Sequence, residues 1–164
     1  MNGIDNDLRD ITQRHLYNFF NPKAGVFYEF DTRNRAYLSF AVANREPNRS
    51  ALVDANPLRP APVHETLYDF EAGYSFSSNM VAFDVTGYYM LYDNQLVLTG
   101  KINDVGDPVL ENVKDSYRAG VEISLGIKIT QKLEWAANLA LSRNKIRNFT
   151  EYIDNWDEWP NQVE

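Results

Sequence analysis

The chain has 164 residues, 16 Lys and Arg against 23 Asp and Glu, a formal net charge of −7 and no cysteine. The length fits one domain, the acidic balance disfavours a nucleic-acid partner, and the lack of cysteine excludes disulfides and thiolate metal sites. Residues 1–10 are polar and do not resemble a signal peptide, and no run of about 18 apolar residues predicts a transmembrane helix. A transmembrane β-barrel remains open, because each of its strands is only half apolar.

The first half of the chain predicts three strands. The first is expected over His15–Phe30. Its apolar and polar residues alternate imperfectly, and Pro22 cannot donate a ladder hydrogen bond. After a tight turn, the second strand is expected over Arg35–Asn44. The third, over Leu67–Phe76, follows a proline-rich loop at Glu46–Glu65.

The second half continues the pattern with three more strands. After a second tight turn at residues 77–79, a fourth strand is expected over Met80–Tyr92. The connection Asp93–Asp115 is long and turn-rich, although residues 95–102 could extend a hairpin. The fifth strand, Tyr117–Ile129, and the sixth, Leu133–Asn144, are joined by another tight turn.

The fifth strand shows most clearly that these strands have two different faces. Its odd-numbered positions are all apolar, and its even-numbered positions are polar or glycine. Side chains alternate across a strand, so the pattern predicts one dry face and one wet face. The strand also exceeds the about five or six residues of an ordinary globular strand and is long enough to cross a bilayer, which takes about nine to eleven.

Three tight turns alternate with two long loops, as in outer-membrane barrels, which have short periplasmic turns and long external loops. The sequence therefore predicts an all-β fold, an antiparallel up-and-down meander of about six long strands that forms a partial transmembrane β-barrel. Strands one, three and five would run inward. The alternative is a soluble β-barrel or sandwich that binds a small apolar ligand, because such sheets also have one dry face. Strand length, loop asymmetry and charges on the wet face favour the membrane.

Several segments resemble TonB-dependent receptors, the large transporters of the Gram-negative outer membrane. The run Asn21-Pro22-Lys23-Ala24-Gly25 is similar to a strand opening in those barrels, and residues 65–74 and 117–122 resemble later segments in the same order. Within the tail Lys145–Glu164, for which no long strand is predicted, residues 152–156 are similar to members from Bacteroides-like bacteria.

The resemblance implies a barrel of about 22 strands with a plug domain in its lumen. Residues 1–164 would then be a fragment of the barrel domain, without the plug and the remaining strands, and inactive alone. The parent would sit in the outer-membrane lipid and import a scarce nutrient such as a ferric siderophore, with energy from the TonB complex. No enzymatic activity, cofactor or nucleic-acid partner is expected, and the uncovered dry face leaves the isolated fragment open to self-association.

Three arginines are candidate ligand contacts at the barrel mouth, namely Arg45, Arg49 and Arg59. Their charges suit an anionic ligand, but they could equally be solvated loop charges or contacts to anionic lipopolysaccharide. His15 and His64 have no neighbours at metal-ligand spacing, so no catalytic, cofactor-binding or metal residue is predicted.

Overall fold

The computed structural model describes residues 14–48, 51–52, 61–102, 108–149, 153–154 and 162–163. They form an antiparallel sheet of six strands whose spatial order follows the chain, and a separate ladder of two short strands. The sheet contains β1 (Lys23–Glu29), β2 (Asn34–Arg45), β3 (Glu65–Ser77), β4 (Val81–Ile102), β5 (Pro108–Thr130) and β6 (Leu133–Ile146), and the short ladder pairs β7 (Ile153–Asp154) with β8 (Gln162–Val163). The predicted all-β meander of six strands is confirmed, and the sheet is not closed.

The first strand is shorter than the predicted His15–Phe30, because its ladder begins only after Pro22. Pro22 has no N–H to donate, and its carbonyl accepts the Val42 N–H at 2.9 Å. One residue earlier, a side chain replaces the backbone, since the Asn21 Oδ1 accepts the Asn44 N–H at 3.0 Å. The proline therefore sets where regular pairing starts.

The long connection predicted at Asp93–Asp115 is mostly a hairpin. β4 and β5 stay paired well beyond Tyr92, with one register shift between Leu98 and Ile102. Residues that are typical of turns lie within β4. Asn94 has a φ of 56° and Gly100 a φ of 80°, in the left-handed region that these residue types tolerate. The turn-rich interpretation of this segment was wrong, and the hairpin extension at residues 95–102 is confirmed.

The turn between β1 and β2 is held by the carboxylate of Asp31. Its Oδ1 accepts the backbone N–H of Arg33 at 2.7 Å and that of Asn34 at 2.9 Å, and the Asn34 side-chain amide donates to both of its oxygens. These hydrogen bonds hold the pKa of Asp31 below its ordinary value, and the largest effect comes from the Arg33 N–H and the next largest from the Asn34 side-chain amide. The contribution of Asp31 to stability is therefore present at neutral pH and is lost as the pH falls through that lowered pKa.

The register places most of the large apolar residues of the six strands on one side of the sheet, which we call the apolar face. One row across that face, read from β1 to β6, is Val26, Leu38, Ala72, Gly87, Val121 and Leu141. Leu38 and Leu141 are 62% and 63% exposed, and Val113 is the only buried apolar side chain among the described side chains of the six strands. The predicted dry face therefore exists, and nothing in the described structure covers it.

The apolar face ends earlier on β6 than on the strands before it. At the long-loop end of the sheet, where the connections β2–β3 and β4–β5 lie, the apolar runs of β2 to β5 stop in one ladder row, at Val42, Tyr68, Leu91 and Tyr117. On β6 the apolar run stops at Leu141, and the ladder pairs lead from Leu141 to Leu38, four residues short of Val42. The edge is therefore level from β2 to β5 and steps back on β6.

The height of the apolar face matches that of an outer-membrane barrel, whose strands tilt by about 35–45°. On β4 the outward-facing apolar positions run from Val81 to Leu91. These ten residue steps span about 33 Å along the strand and about 23–27 Å of height at that tilt. An outer-membrane barrel carries an apolar band about 25 Å tall.

Candidate functional site

The opposite side of the sheet, which we call the polar face, holds most of the charged residues of the six strands. One row crosses it from Lys23 through Asp69 to Arg118, with Ala41, Met90 and Asn144 at the remaining positions. All charges predicted for the wet face lie on this side, namely Lys23, Glu29, Asp69, Glu71, Asp84, Arg118, Glu122, Lys128 and Glu134. The face therefore suits contact with water or with a polar partner.

One acceptor on the polar face has no hydrogen bond. The Oδ1 of Asp69 is buried, and no partner of it lies within the described residues. Lys23, Asp69 and Glu71 line a shallow groove of about 390 Å³ there. A buried acceptor without a donor carries a desolvation cost that a donor from outside would relieve. The groove can therefore receive a hydrogen-bond donor or a cation.

Two tyrosines lie flat over glycines of neighbouring strands on the polar face. The Tyr37 ring covers Gly73, and the Tyr88 ring and hydroxyl cover Gly120. The Tyr37 hydroxyl also lies 3.3 Å from the Thr86 Oγ1. An aromatic ring can approach the backbone this closely only where no Cβ intervenes. Both rings are thereby held against the sheet.

At the long-loop end, Arg45 and Glu65 form a two-point ion pair on the polar face. The Arg45 Nε lies 2.9 Å from the Glu65 Oε1, and the other oxygen accepts the second bond at 3.0 Å. That oxygen also accepts the Leu96 N–H at 3.1 Å, which connects the pair to β4. The Glu65 side chain is 13% exposed and that of Arg45 is 68% exposed, so the guanidinium still faces solvent. Arg49 and Arg59, the other two candidate contacts, lie outside the described residues.

Asn112 on β5 fastens the end of the β2–β3 connection to the hairpin. Its Oδ1 accepts the Val63 N–H at 2.9 Å, and its Nδ2 donates to the Val63 carbonyl at 3.0 Å and to the Asn94 carbonyl at 2.7 Å. The sequence carries no signal for this contact, because both partners lie in segments predicted as loops. The two long connections are therefore coupled at the rim.

We expect Asn112→Ala to release Val63 from the hairpin without unfolding the sheet. The substitution removes three hydrogen bonds, two of them to Val63, and leaves the β4–β5 ladder intact. Amide hydrogen exchange of the 61–64 segment should accelerate at least tenfold, since each lost bond contributes about 1 kcal/mol. Amide exchange in the part of β5 that follows Tyr117 in the chain serves as the control. Unchanged exchange at residues 61–64 would show that Asn112 does not hold this segment.

An aromatic cluster stands beside the start of β1. The rings of His15, Tyr17 and Phe19 follow one another at centroid distances of 6.1 and 5.7 Å, and His64 lies 5.3 Å from Phe19. Both histidines thus contact other rings. Within the described residues there is no group of three or more His, Cys, Asp or Glu side chains that could hold a metal ion. In that same part of the chain, no helix is both long and apolar enough to cross a membrane.

The family model described as TonB dependent receptor-like, beta-barrel matches residues 3–163. No curated protein matches the sequence. The sheet is similar to solved structures at low sequence identity, so these likenesses concern the fold alone.

The copper transporter OprC superposes with a TM-score of 0.66 at 15% identity, over 76% of this chain and 20% of that one. The siderophore receptor PirA from Pseudomonas aeruginosa superposes with a TM-score of 0.64 at 19% identity, over 77% of this chain and 25% of that one. The FrpB iron transporter from Neisseria meningitidis (F3-3 variant) superposes with a TM-score of 0.61 at 16% identity, over 77% of this chain and 20% of that one. The matched part spans only a fifth to a quarter of these structures.

Proposed function

The chain belongs to the TonB dependent receptor-like β-barrel family, and from that premise we propose that residues 1–164 are a segment of the barrel of a Gram-negative outer-membrane receptor. The family consists of transport receptors, so the chain is not an enzyme. The plug and the remaining strands would come from the rest of the parent protein.

One observation carries this proposal, namely the uncovered apolar face. Its height fits a tilted sheet against lipid. The polar face would then line the lumen, and the long-loop end would face the cell exterior. A soluble binding module would need the apolar face covered by a second layer, and the described structure offers no support for that alternative.

The proposed activity is import of a scarce nutrient such as a ferric siderophore, driven through TonB. The similar structures support it, since they are a copper transporter, a siderophore receptor and an iron transporter. In the parent, the groove at Asp69 would face the lumen and could accept a donor from the plug. The segment alone would be inactive. Its origin in a Bacteroides-like bacterium also stays a proposal.

Arg45 is the proposed ligand contact within the described residues. Glu65 holds its Nε and one terminal nitrogen, so the guanidinium is oriented while much of it stays exposed at the mouth. An oriented guanidinium forms strong paired hydrogen bonds with anionic oxygens. Arg49 and Arg59 remain proposed contacts by their place in the first long loop.

Uptake of radioactive iron tests the function in the full-length receptor. Cells that lack their other iron receptors are given ferric hydroxamate, catecholate and carboxylate siderophores, with and without a functional TonB. We expect accumulation from one of the three classes that disappears without TonB. Uptake that does not depend on TonB, or none from any class, would contradict the proposed function.

We expect Arg45→Ala to raise the half-saturating concentration of that siderophore about tenfold or more, because a charge-assisted contact contributes about 1.5–3 kcal/mol. Arg35→Ala is the matched control, since Arg35 lies on the same strand and the same face but at the short-turn end. The control should leave uptake unchanged. Equal effects of the two substitutions would remove Arg45 from the ligand site.

A further inference from the structure

The outward-facing positions of β6 change from apolar to basic along one strand. They read Leu133, Trp135, Ala137, Leu139 and Leu141, and then Arg143, Lys145 and Arg147. The register places Arg143 opposite Ala119 and Lys145 opposite Tyr117, both on the apolar face. The Arg147 N–H donates to the Asp115 carbonyl at 3.0 Å, which continues the alignment one residue past the strand. We call these three residues the basic row.

The basic row has little charge compensation on its own side of the sheet. Within the described parts of the chain, none of its three members forms an ion pair, and all three are exposed. The nearest acidic position on that face is Asp115, which stands opposite Arg147. The remaining neighbours across the ladder are Tyr117 and Ala119. Arg143 and Lys145 therefore present uncompensated positive charge.

The position of the row along the strand points to its partner. Leu141 is the last apolar residue of β6, so Arg143 lies just beyond the hydrocarbon layer if the apolar face meets lipid. The four residue steps to Arg147 span about 13 Å of strand and about 9–11 Å of height. The headgroup layer on one side of a bilayer is about 5–8 Å thick. Tyr89 and Tyr117, 6.0 Å apart, lie next to the row as an interfacial aromatic pair.

We propose that the basic row binds the phosphate groups of lipid A, the phosphorylated glycolipid of the outer leaflet. The proposal rests on the proposed function, because it requires the long-loop end to face the cell exterior. Guanidinium groups bind phosphate oxygens in pairs, and the lysine adds a point charge between the two arginines. Asp115 offsets part of the charge of Arg147, so Arg143 and Lys145 contribute most of the affinity.

Native mass spectrometry of the full-length receptor tests this proposal. The receptor is placed in nanodiscs that contain equal amounts of bis-phosphorylated and dephosphorylated lipid A, and the lipids that stay bound after ejection from the disc are counted. The wild type should retain the bis-phosphorylated form at least tenfold over the other, since each basic side chain near an anionic headgroup adds roughly fivefold. Equal retention by the wild type would overturn the proposal, whatever the variants do.

The variant Arg143→Gln, Lys145→Gln, Arg147→Gln should lose this preference, and the charge-retaining variant Arg143→Lys, Arg147→Lys should keep part of it. The control removes three charges at the short-turn end, by Arg33→Gln, Lys128→Gln and Lys132→Gln, and should retain lipid A as the wild type does. If the control also loses the preference for bis-phosphorylated lipid A, the effect is one of general charge and the proposal is overturned.

Competition with free phosphate separates a lipid site from an anion site. If millimolar inorganic phosphate abolishes the preference for bis-phosphorylated lipid A, the row is an anion site and the proposal is overturned. Siderophore uptake by the triple variant is expected to persist, so failure of the lipid site and failure of the transport function are distinguishable.

Discussion

An arginine in place of Leu125 is expected to impair insertion of the barrel into the outer membrane. Leu125 lies on the apolar face of β5, opposite Phe83 and Ala137, and one outward-facing position from Ile123 at the middle of the apolar run. A guanidinium at the middle of the bilayer costs about 2–4 kcal/mol in a transmembrane barrel. Native proteins have free energies of unfolding of about 5–15 kcal/mol, so this cost removes a large share of the stability of the barrel.

The neighbouring residue provides a control with the same added side chain. Gly126 points to the polar face, and a Cβ there would lie 3.9 Å from the Ala82 Cβ and 4.0 Å from the Ala82 carbonyl, so the site has room. Folding of the full-length receptor into vesicles is measured by the shift of the heat-resistant band on gels. Leu125→Arg should weaken the folded band, and Gly126→Arg should retain it. If both variants fold equally well, the assignment of the apolar face to lipid is wrong.

The second large effect is expected at Gly120, where alanine should destabilise the barrel by about 1–3 kcal/mol through overpacking. A Cβ at this position would lie 2.5 Å from the Tyr88 hydroxyl oxygen and 2.8 Å from the Leu141 carbonyl oxygen. Tyr88 could rotate away, but the carbonyl belongs to the backbone of β6 and cannot. Urea unfolding of the receptor in vesicles measures the loss.

Gly126→Ala is the matched control, on the same strand and the same face, and should change the free energy of unfolding by less than about 0.5 kcal/mol. Adding Tyr88→Ala to Gly120→Ala should remove only the part of the destabilisation by Gly120→Ala that comes from contact with the Tyr88 ring. If it removes all of that destabilisation, the β6 backbone moves to accommodate the Cβ. If Gly120→Ala does not lower the free energy of unfolding at all, both the ring and the strand adapt, contrary to the packing argument.

The sequence was sufficient for the features that depend on local alternation. The side-chain period of two placed the apolar residues of β2 to β6 on one face, and the register confirmed every one of the charges assigned to the other face. Two of the three tight turns were recognised because Asp, Asn and Ser accept backbone N–H groups there, as Asp31 does between β1 and β2. The third, at Gln131 and Lys132, contains none of these residues and follows from the alternation on either side of it.

Features that depend on distant partners could not be predicted. The segment Asp93–Asp115 contains turn-forming residues, but pairing with the facing strand overrides local preference, as it does at Asn94. The contacts of Asn112 with Val63 and of Glu65 with Leu96 join residues 49 and 31 positions apart. Their residue types are ordinary for a loop, so composition and spacing contain no information about the pairing.

The neighbour-to-neighbour order of the strands has a consequence for how the sheet assembles. Every strand in it pairs with the next one along the chain, so each pairing closes a short stretch of polypeptide. Five residues, 103–107, separate β4 from β5, and 19 residues, 46–64, separate β2 from β3. The longer connection is nearly two doublings longer than the shorter one, so closing it costs only about 1.2 kcal/mol more in chain entropy. Formation should therefore start at the β4–β5 hairpin, which has the most ladder pairs, and proceed by zippering towards β1 and β6, with β1 joining last on the far side of the longest connection.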